Sequence, residues 1–480
     1  MLTMDGALLL ADGMPKDVTL DALLKRFADD RNRMDNLKQI YDREHDIKHR
    51  VRLKGLPNHK LVHDLPGYIV AVTSGYLVGR PVQYKYDGAE SDFAPMLDAL
   101  SKCDAGSVDS EIAQDAAIYG KGVCLLYADA EAKPRIAQAD PRASFVVYDN
   151  TVAHEPLFGV TLREICSDKL ERLGEIVTVL TATQVVEMER KGTEPPHEIG
   201  REPHFFGGVP LIEFWNNPRE SGDFEGVMSL IDAYDEVQSD RVNDKQQYTD
   251  ALLVLKGVGT LTADDAVETE GEEQEGDTMT PSERLRKTRT LYLPGDAGAE
   301  YITKQLSESD TEVLKDSLKA DIHKLSFVPD LTDEQFAGVQ SGVAMRYKLY
   351  GLEQLTQIKE RWFREGLMER LERMAHFLAL QGAPVIDPDK VTITFSRALP
   401  VNDGDAASVV KMLDGMVSLE TLLSQLPFVD DPKAEAEKVR QEADEKVQRQ
   451  QQAMEAVAYP EITKKDKTAK EDKGDEPPKE

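Results

Sequence analysis

Between Ser341 and Gln381 the chain runs without a proline and with only three glycines. Its apolar residues recur there at helical intervals: Val343, Tyr347, Tyr350, Leu355, Trp362, Leu367, Leu371, Met374 and the Phe377/Leu378 pair. Ser341 is placed to cap the start. At 1.5 Å per residue such a helix would be roughly 60 Å long, where an ordinary globular helix has about 11–12 residues. A rod of this length needs a bundle or a large assembly to cover its apolar side. Strict heptads are not kept, which disfavours a coiled coil. The aromatic residues along it read as core rather than as a platform for stacking bases.

The rest of the chain alternates helices and short strands. Residues 20–54, 61–77 and 91–119 have helical spacing, and the break Gly55-Leu56-Pro57-Asn58 separates the first two. Strand patterns fall at 82–86, 122–128, 143–149, 157–163, 176–182, 184–190 and 210–214. The first two hundred residues therefore predict an α+β domain with a mostly antiparallel sheet. A helix follows over 223–253, with Val227, Leu230, Ile231, Tyr234, Val237, Val242 and Tyr248 broadly along one stripe. Leu253–Lys256 and Thr290–Leu293 read as two strands of a small β module. Between them, from Asp264 to Asp277, acidic residues occur with no basic one, a pattern of solvated, disordered chain. A helix over 309–326 leads into 327–340, which has loop composition. After the long helix come a strand at 391–395, helices over 405–426 and 432–457, and a charged tail, 461–480, expected to be disordered.

Length and charge narrow the function classes. At ~150 residues per domain, 480 residues make about three domains' worth of chain. The net charge of −30 argues against a surface that grips DNA throughout, and is compatible with a wall past which DNA slides. Acidity that serves only solubility is the plain alternative. Cys103, Cys124 and Cys166 are too widely spaced for a zinc pattern and read as buried thiols of a reducing compartment. The apolar run Ala7–Ala11 is too short for a signal peptide, and no stretch is long and apolar enough to span a membrane. The chain has no phosphate-binding Gly-rich loop ending in Gly-Lys-Ser/Thr, no His-Glu-x-x-His and no Gly-x-Ser-x-Gly. His45/His49 and His59/His63 each have the i, i+4 spacing that could ligate zinc, but no cysteine lies nearby, and surface or interface histidines are the expected reading. No catalytic residue, metal site or cofactor is expected.

Two stretches resemble one family. The first is Asn58-His59-Lys60-Leu61-Val62-His63-Asp64-Leu65-Pro66-Gly67-Tyr68-Ile69-Val70, continuing through Ser74-Gly75-Tyr76-Leu77-Val78-Gly79-Arg80-Pro81-Val82-Gln83-Tyr84. The second is Ser341-Gly342-Val343-Ala344-Met345-Arg346-Tyr347-Lys348-Leu349, running into Lys359-Glu360-Arg361-Trp362-Phe363. Both are similar to segments of the portal proteins of long-tailed bacteriophages: a turn and helix leading into a Tyr-x-x-Gly-x-Pro-Val-x-Tyr strand entry, and the start of the long helix after the tunnel loop. Phe145-Val146-Val147-Tyr148-Asp149 resembles the strand that closes the family's wing sheet. The match in element order runs from about residue 20 to 400, and leaves the first twenty residues and the acidic stretch unplaced.

The resemblance implies a portal fold assembled as a cone-shaped ring, usually a homododecamer. Its α+β wing would comprise 1–223 and 341–401. The stem would be the helices 224–252 and 305–326, the clip 253–304, the tunnel loop 327–340 and the α-helical crown 402–460. It further implies a DNA channel at one capsid vertex, serving genome packaging and DNA ejection. The implied partners are other copies of the chain, the terminase large subunit, a head-completion or adaptor protein, the major capsid and scaffolding proteins, and double-stranded DNA bound without sequence preference. The tunnel-loop residues would be Val328, Pro329, Asp330, Leu331, Thr332, Asp333, Glu334, Gln335, Phe336, Gly338 and Gln340. Lys315, Lys319 and Lys324 are candidate channel-facing cations, or partners of Glu312 and Asp316 in ion pairs. Leu253, Val254, Leu255, Lys256, Leu291, Tyr292 and Leu293 would carry the clip's docking surface. The alternatives are a non-portal connector or head-assembly protein, and a metal-dependent enzyme acting on nucleic acid.

Overall fold

The computed structural model describes residues 1–53, 56–169, 171–191, 196–249, 252–256, 290–293, 298–302, 308–331, 345, 347–397, 410–413, 415–423, 426, 429 and 432–458. They fall into two compact units, one from 1–338 with 345–398 and the other from 339–344 with 399–480. The acidic stretch 264–278 and the tail 461–480 lie outside the described residues.

In the first unit, α1 (Asp17–Tyr41) buries Leu20, Leu23, Leu24, Phe27, Met34, Leu37 and Ile40. It ends well before the expected Lys54, because Asp42 leaves helical geometry and Arg43 is left-handed at φ 67°. A 3-10 turn, Asp46–His49, follows. The described part of 50–64 is neither helix nor strand, and we call 42–64 the strap. At the start of α2 (Leu65–Val78) the Asp64 side chain accepts from the Gly67 amide at 3.0 Å, and Pro66 lies in the first turn, where no amide is missed. The single helix expected over 91–119 is two, α3 (Glu90–Lys102) and α4 (Ala105–Tyr119), divided at Asp104, whose φ of 49° no α-helix accommodates.

The main sheet has the order β1 (Leu2–Met4), β5 (Ser144–Asp149), β6 (Pro156–Cys166), β7 (Arg172–Leu180), β8 (Gln184–Arg190), β9 (His197–Pro203). It is antiparallel except for β1, which pairs parallel to β5 with Leu2 opposite Val147. This places the unassigned N-terminus: Leu2 and Met4 are buried on the sheet. A second sheet runs β10 (Leu211–Trp215), β3 (Lys121–Ala128), β4 (Pro134–Ala139), and all five residues of β10 are buried. β2 (Gln83–Tyr86) pairs with β14 (Val391–Thr394). Strands β1, β4 and β9 were not legible as strands: the first and last are short or polar, and β4 follows turn residues.

The long helix is α7 (Tyr350–Leu380), shorter than expected, with Leu349 as its N-cap. Tyr347 and Tyr350 are 78% and 62% exposed, so they do not belong to its apolar stripe, and Trp362 is only half-buried. The buried face carries Leu352 near its start and then Phe363, Leu367, Leu371, Met374, Phe377 and Leu378, which pack with Phe206, Ile212 and Phe214. Gly366 makes this approach possible: a Cβ there would lie 2.7 Å from the Phe214 ring.

α5 (Met228–Thr249) packs beside α6 (Glu308–Ser326), with Arg241 2.7 Å from Glu312. Between them in sequence lies a small sheet, β12 (Thr290–Leu293), β11 (Leu252–Lys256), β13 (Gly298–Ile302), in which β11 runs parallel to β12 and antiparallel to β13. The expected pair of strands is present and a third joins them. In the second unit α8 (Leu419–Leu423) packs on α9 (Pro432–Ala458), burying Leu422 and Ala436. Gly415, left-handed at φ 79°, interrupts the helix expected over 405–426. The fold is α+β, as expected.

Candidate functional site

The base of the expected tunnel loop is built by α6, the turn after it and α2. Phe327 takes a left-handed φ of 59° and ends α6. The turn is then pinned from two sides. His323 on α6 donates from Nδ1 to the Val328 carbonyl at 2.9 Å. Tyr68 on α2 donates its hydroxyl to the Pro329 carbonyl at 2.8 Å and accepts from the Leu331 amide at 3.0 Å. Its ring meets His323 edge-on at 5.9 Å. Burial raises the Tyr68 hydroxyl above its ordinary pKa, which keeps it a donor. Asp330 sits 2.6 Å from Lys319.

Val328 is fully buried, at the anchored base of the segment expected to form the tunnel loop. Pro329, Asp330 and Leu331 share that anchorage. Thr332, Asp333, Glu334, Gln335, Phe336, Gly338 and Gln340 lie outside the described residues. Lys315 pairs with Glu312, and with Asp316 at 3.2 Å, which is the ion-pair alternative. Lys319 is held by Asp330, and Lys324 is exposed with no ion pair among the described residues. The backbones of Leu253, Val254, Leu255 and Lys256 lie on β11, and those of Leu291, Tyr292 and Leu293 on β12.

The strap runs along α5 on a polar ladder. Asp235, Ser239 and Asn243, one helical turn apart, are all fully buried. Asp235 Oδ1 accepts from the His63 amide at 2.9 Å, Ser239 Oγ from the Leu61 amide at 2.9 Å, and Asn243 Oδ1 from the His59 amide at 2.7 Å. The match is metric. Four helical residues rise about 6 Å, and two extended residues span about 6.6 Å. Asp240 holds Arg50 at 2.6 Å and also binds Arg52. The four histidines do not converge on a metal. His45 and His63 meet on Asp235, His59 contacts Gln246 at 2.8 Å, and His49 is exposed. Among the described residues no cluster of His, Cys, Asp and Glu could hold a metal ion.

Three ion pairs with buried members lie in the first unit, two of them on the long helix and one between β3 and β10. Asp223, just before α5, binds the Lys359 ammonium and accepts from Thr73 Oγ1 at 2.5 Å and Asn216 Nδ2 at 2.8 Å. Arg370, fully buried, holds Asp109 at 2.5 and 3.2 Å and donates to the Tyr84 hydroxyl at 3.0 Å. Lys121 reaches Glu213 at 2.5 Å. The sequence reading missed these. The available signal was Lys359 and Arg370 on the same face as Phe363 and Gly366, cations inside an apolar stripe.

The chain is similar to known proteins over most of its length. A portal protein of Bacillus phage SPP1 is 23% identical over 405 residues, covering 80% of this chain and 76% of that protein. A portal protein of Clostridium phage phiCD119 is 26% identical over 241 residues, 49% of each. Among solved structures, a chain from the neck of a native GTA particle computed with C12 symmetry aligns over 76% of this chain and 90% of its own, at 10% identity and a TM-score of 0.36, too low to bear on the fold. The model of the phage portal protein family described as SPP1 Gp6-like matches residues 20–449, and with that extent of match the chain belongs to this family of structural, non-enzymatic phage portal proteins.

Proposed function

We propose that this portal chain works as a closed ring, twelve copies as the resemblance implies, around a DNA channel at one capsid vertex. The observation that carries the reading is the family match from residue 20 to 449. The fold supports it in one respect: two packed helices, α5 and α6, flank a three-stranded insertion, the arrangement a protruding stem and clip would need. In this reading 1–223 with 341–401 is the wing, 224–252 and 305–326 the stem, 253–304 the clip, 327–340 the tunnel loop and 402–460 the crown. The strands β11 and β12 present the surface where the terminase large subunit docks during packaging and a head-completion protein afterwards, while major capsid and scaffolding proteins surround the wing. DNA enters and leaves through the bore without sequence recognition. Lys324 is the channel-facing cation to test first, because Lys315 and Lys319 are already engaged by carboxylates.

Electron microscopy of the purified full-length protein tests this directly. Rings with a central hole are expected. A protein that stays monomeric across assembly conditions would overturn the ring.

A further inference from the structure

His45 is fully buried, and both of its ring nitrogens face groups that can only accept. Nδ1 lies 2.6 Å from Asp235 Oδ2. Nε2 lies 3.1 Å from the carbonyl of Ile40, in the last turn of α1. A neutral imidazole has one N–H and would set a lone pair against one of these acceptors. An imidazolium satisfies both. The Ile40 carbonyl, at the pole of the helix dipole that attracts a cation, also accepts from the Arg43 amide at 3.0 Å, and its second lone pair faces the His45 ring. Asp235 supplies the counter-charge from α5, and its other oxygen takes the amide and Nδ1 of His63, at 2.9 and 2.7 Å.

We propose that His45 is a buried imidazolium clasp fixing the end of α1 and the strap to α5, and that the joint loosens when His45 loses its second proton. The clasp rests on the portal reading only for its consequence, that the setting of the expected stem helix against the wing body responds to pH.

The surroundings favour the charged ring. Burial alone would favour the neutral form, but the hydrogen bond and charge of Asp235 outweigh it and hold His45 above its ordinary value, with the Ile40 carbonyl and Asp232 adding to the effect. For Asp235, burial works against ionisation, and the hydrogen bonds from His45 and His63 outweigh it, so its carboxyl titrates below the usual range. The other titratable groups facing the clasp are Asp232 on α5 and Asp46 on the 3-10 turn, together with His63 on the strap; burial and Asp46 raise Asp232. The sign follows. A histidine raised on folding contributes fully below about pH 6.5, and its contribution is lost as pH rises through the folded value. A carboxylate lowered on folding contributes above about pH 3.9, and its contribution is lost as pH falls through the folded value. The clasp is therefore strongest between those limits and opens on the alkaline side.

The test uses the full-length protein. Deuterium exchange at the imidazole C2 position, read by mass spectrometry across pH, gives the titration of each histidine. His45 is expected to titrate above 6.5, and Asp235→Asn to bring it below 6.5. In the wild type, amide protection of the strap and of α5 near Asp235 should fall as pH rises through the His45 titration. The fall is about tenfold for each pH unit between the folded and unfolded values, after correction for intrinsic exchange. His45→Phe should abolish that pH dependence. A wild-type His45 that titrates below 6.5, or strap protection that does not change with pH, overturns the proposal. The wild-type titration stands alone if a variant fails to fold. Ring formation, scored by microscopy on the same samples, reports on the portal reading independently of the clasp.

Discussion

Lys359 and Asp223 are both almost fully buried, and the ammonium is the only cation among the described partners of that carboxylate. Removing one member of such a pair leaves a charge in low dielectric, which costs about 3–5 kcal/mol, whereas replacing both is far milder. Lys359→Met is expected to destabilise the chain by that amount in urea unfolding, and the double variant Lys359→Met/Asp223→Asn to recover a large part of it. Asp115 behaves differently. Burial pushes its carboxyl up to about 7, against the hydrogen bond from Gln138. The folded chain thus holds a proton that the unfolded chain releases near pH 3.9, so stability falls as pH rises from about 4 to about 7. Asp115→Asn has no such proton. Its stability relative to the wild type should rise across that window, measured by thermal unfolding from pH 4 to 8.

At the scale of the element, α2 ties three parts of the first unit together. Tyr68 pins the turn after α6, Thr73 binds Asp223 at the start of α5, and the Tyr76 hydroxyl donates to Glu353 on α7 at 2.8 Å. Both described flanks of the 332–344 segment therefore hang on one short helix. Tyr68→Phe removes the hydroxyl that serves the Pro329 carbonyl and the Leu331 amide, each such bond being worth about 0.5–1.5 kcal/mol. The expected outcome is local. The amides of Val328, Asp330 and Leu331 should exchange about tenfold faster, while global unfolding shifts by no more than about 2 kcal/mol. A uniform loss of protection across the chain would show that the tyrosine supports the core instead.

At the scale of the whole molecule, the net charge of −30 makes every copy repel every other. If a ring closes mainly through apolar and shape contacts, screening this repulsion favours assembly. Raising ionic strength from about 0.05 to 0.5 M shortens the Debye length from well over 10 Å to about 4 Å. The ring fraction in mass photometry should then rise. A fall would mean that ion pairs between copies dominate closure. Exposed apolar side chains on α6, Val313 and Leu314 at 69% and 50%, are available for such contacts.

The sequence by itself determined the fold class, the long helix, most strands of the main sheet and the family, because periodicity and turn residues are local properties and motif order survives divergence. Val391–Phe395 and Gln184–Arg190 were legible for that reason, and so was the pair of helices around residue 240 and residue 317. Only the tertiary structure decided that Asp104 splits one apparent helix into two, that Leu2–Met4 joins β5, and that Val328 is buried rather than exposed. It also brought His45 and His63 onto Asp235, some 190 and 172 residues away in sequence. No local pattern records such a meeting. A buried carboxylate acquires its cation only when the surrounding elements have closed over both, and the free energy of that pairing belongs to the folded arrangement rather than to any segment of chain.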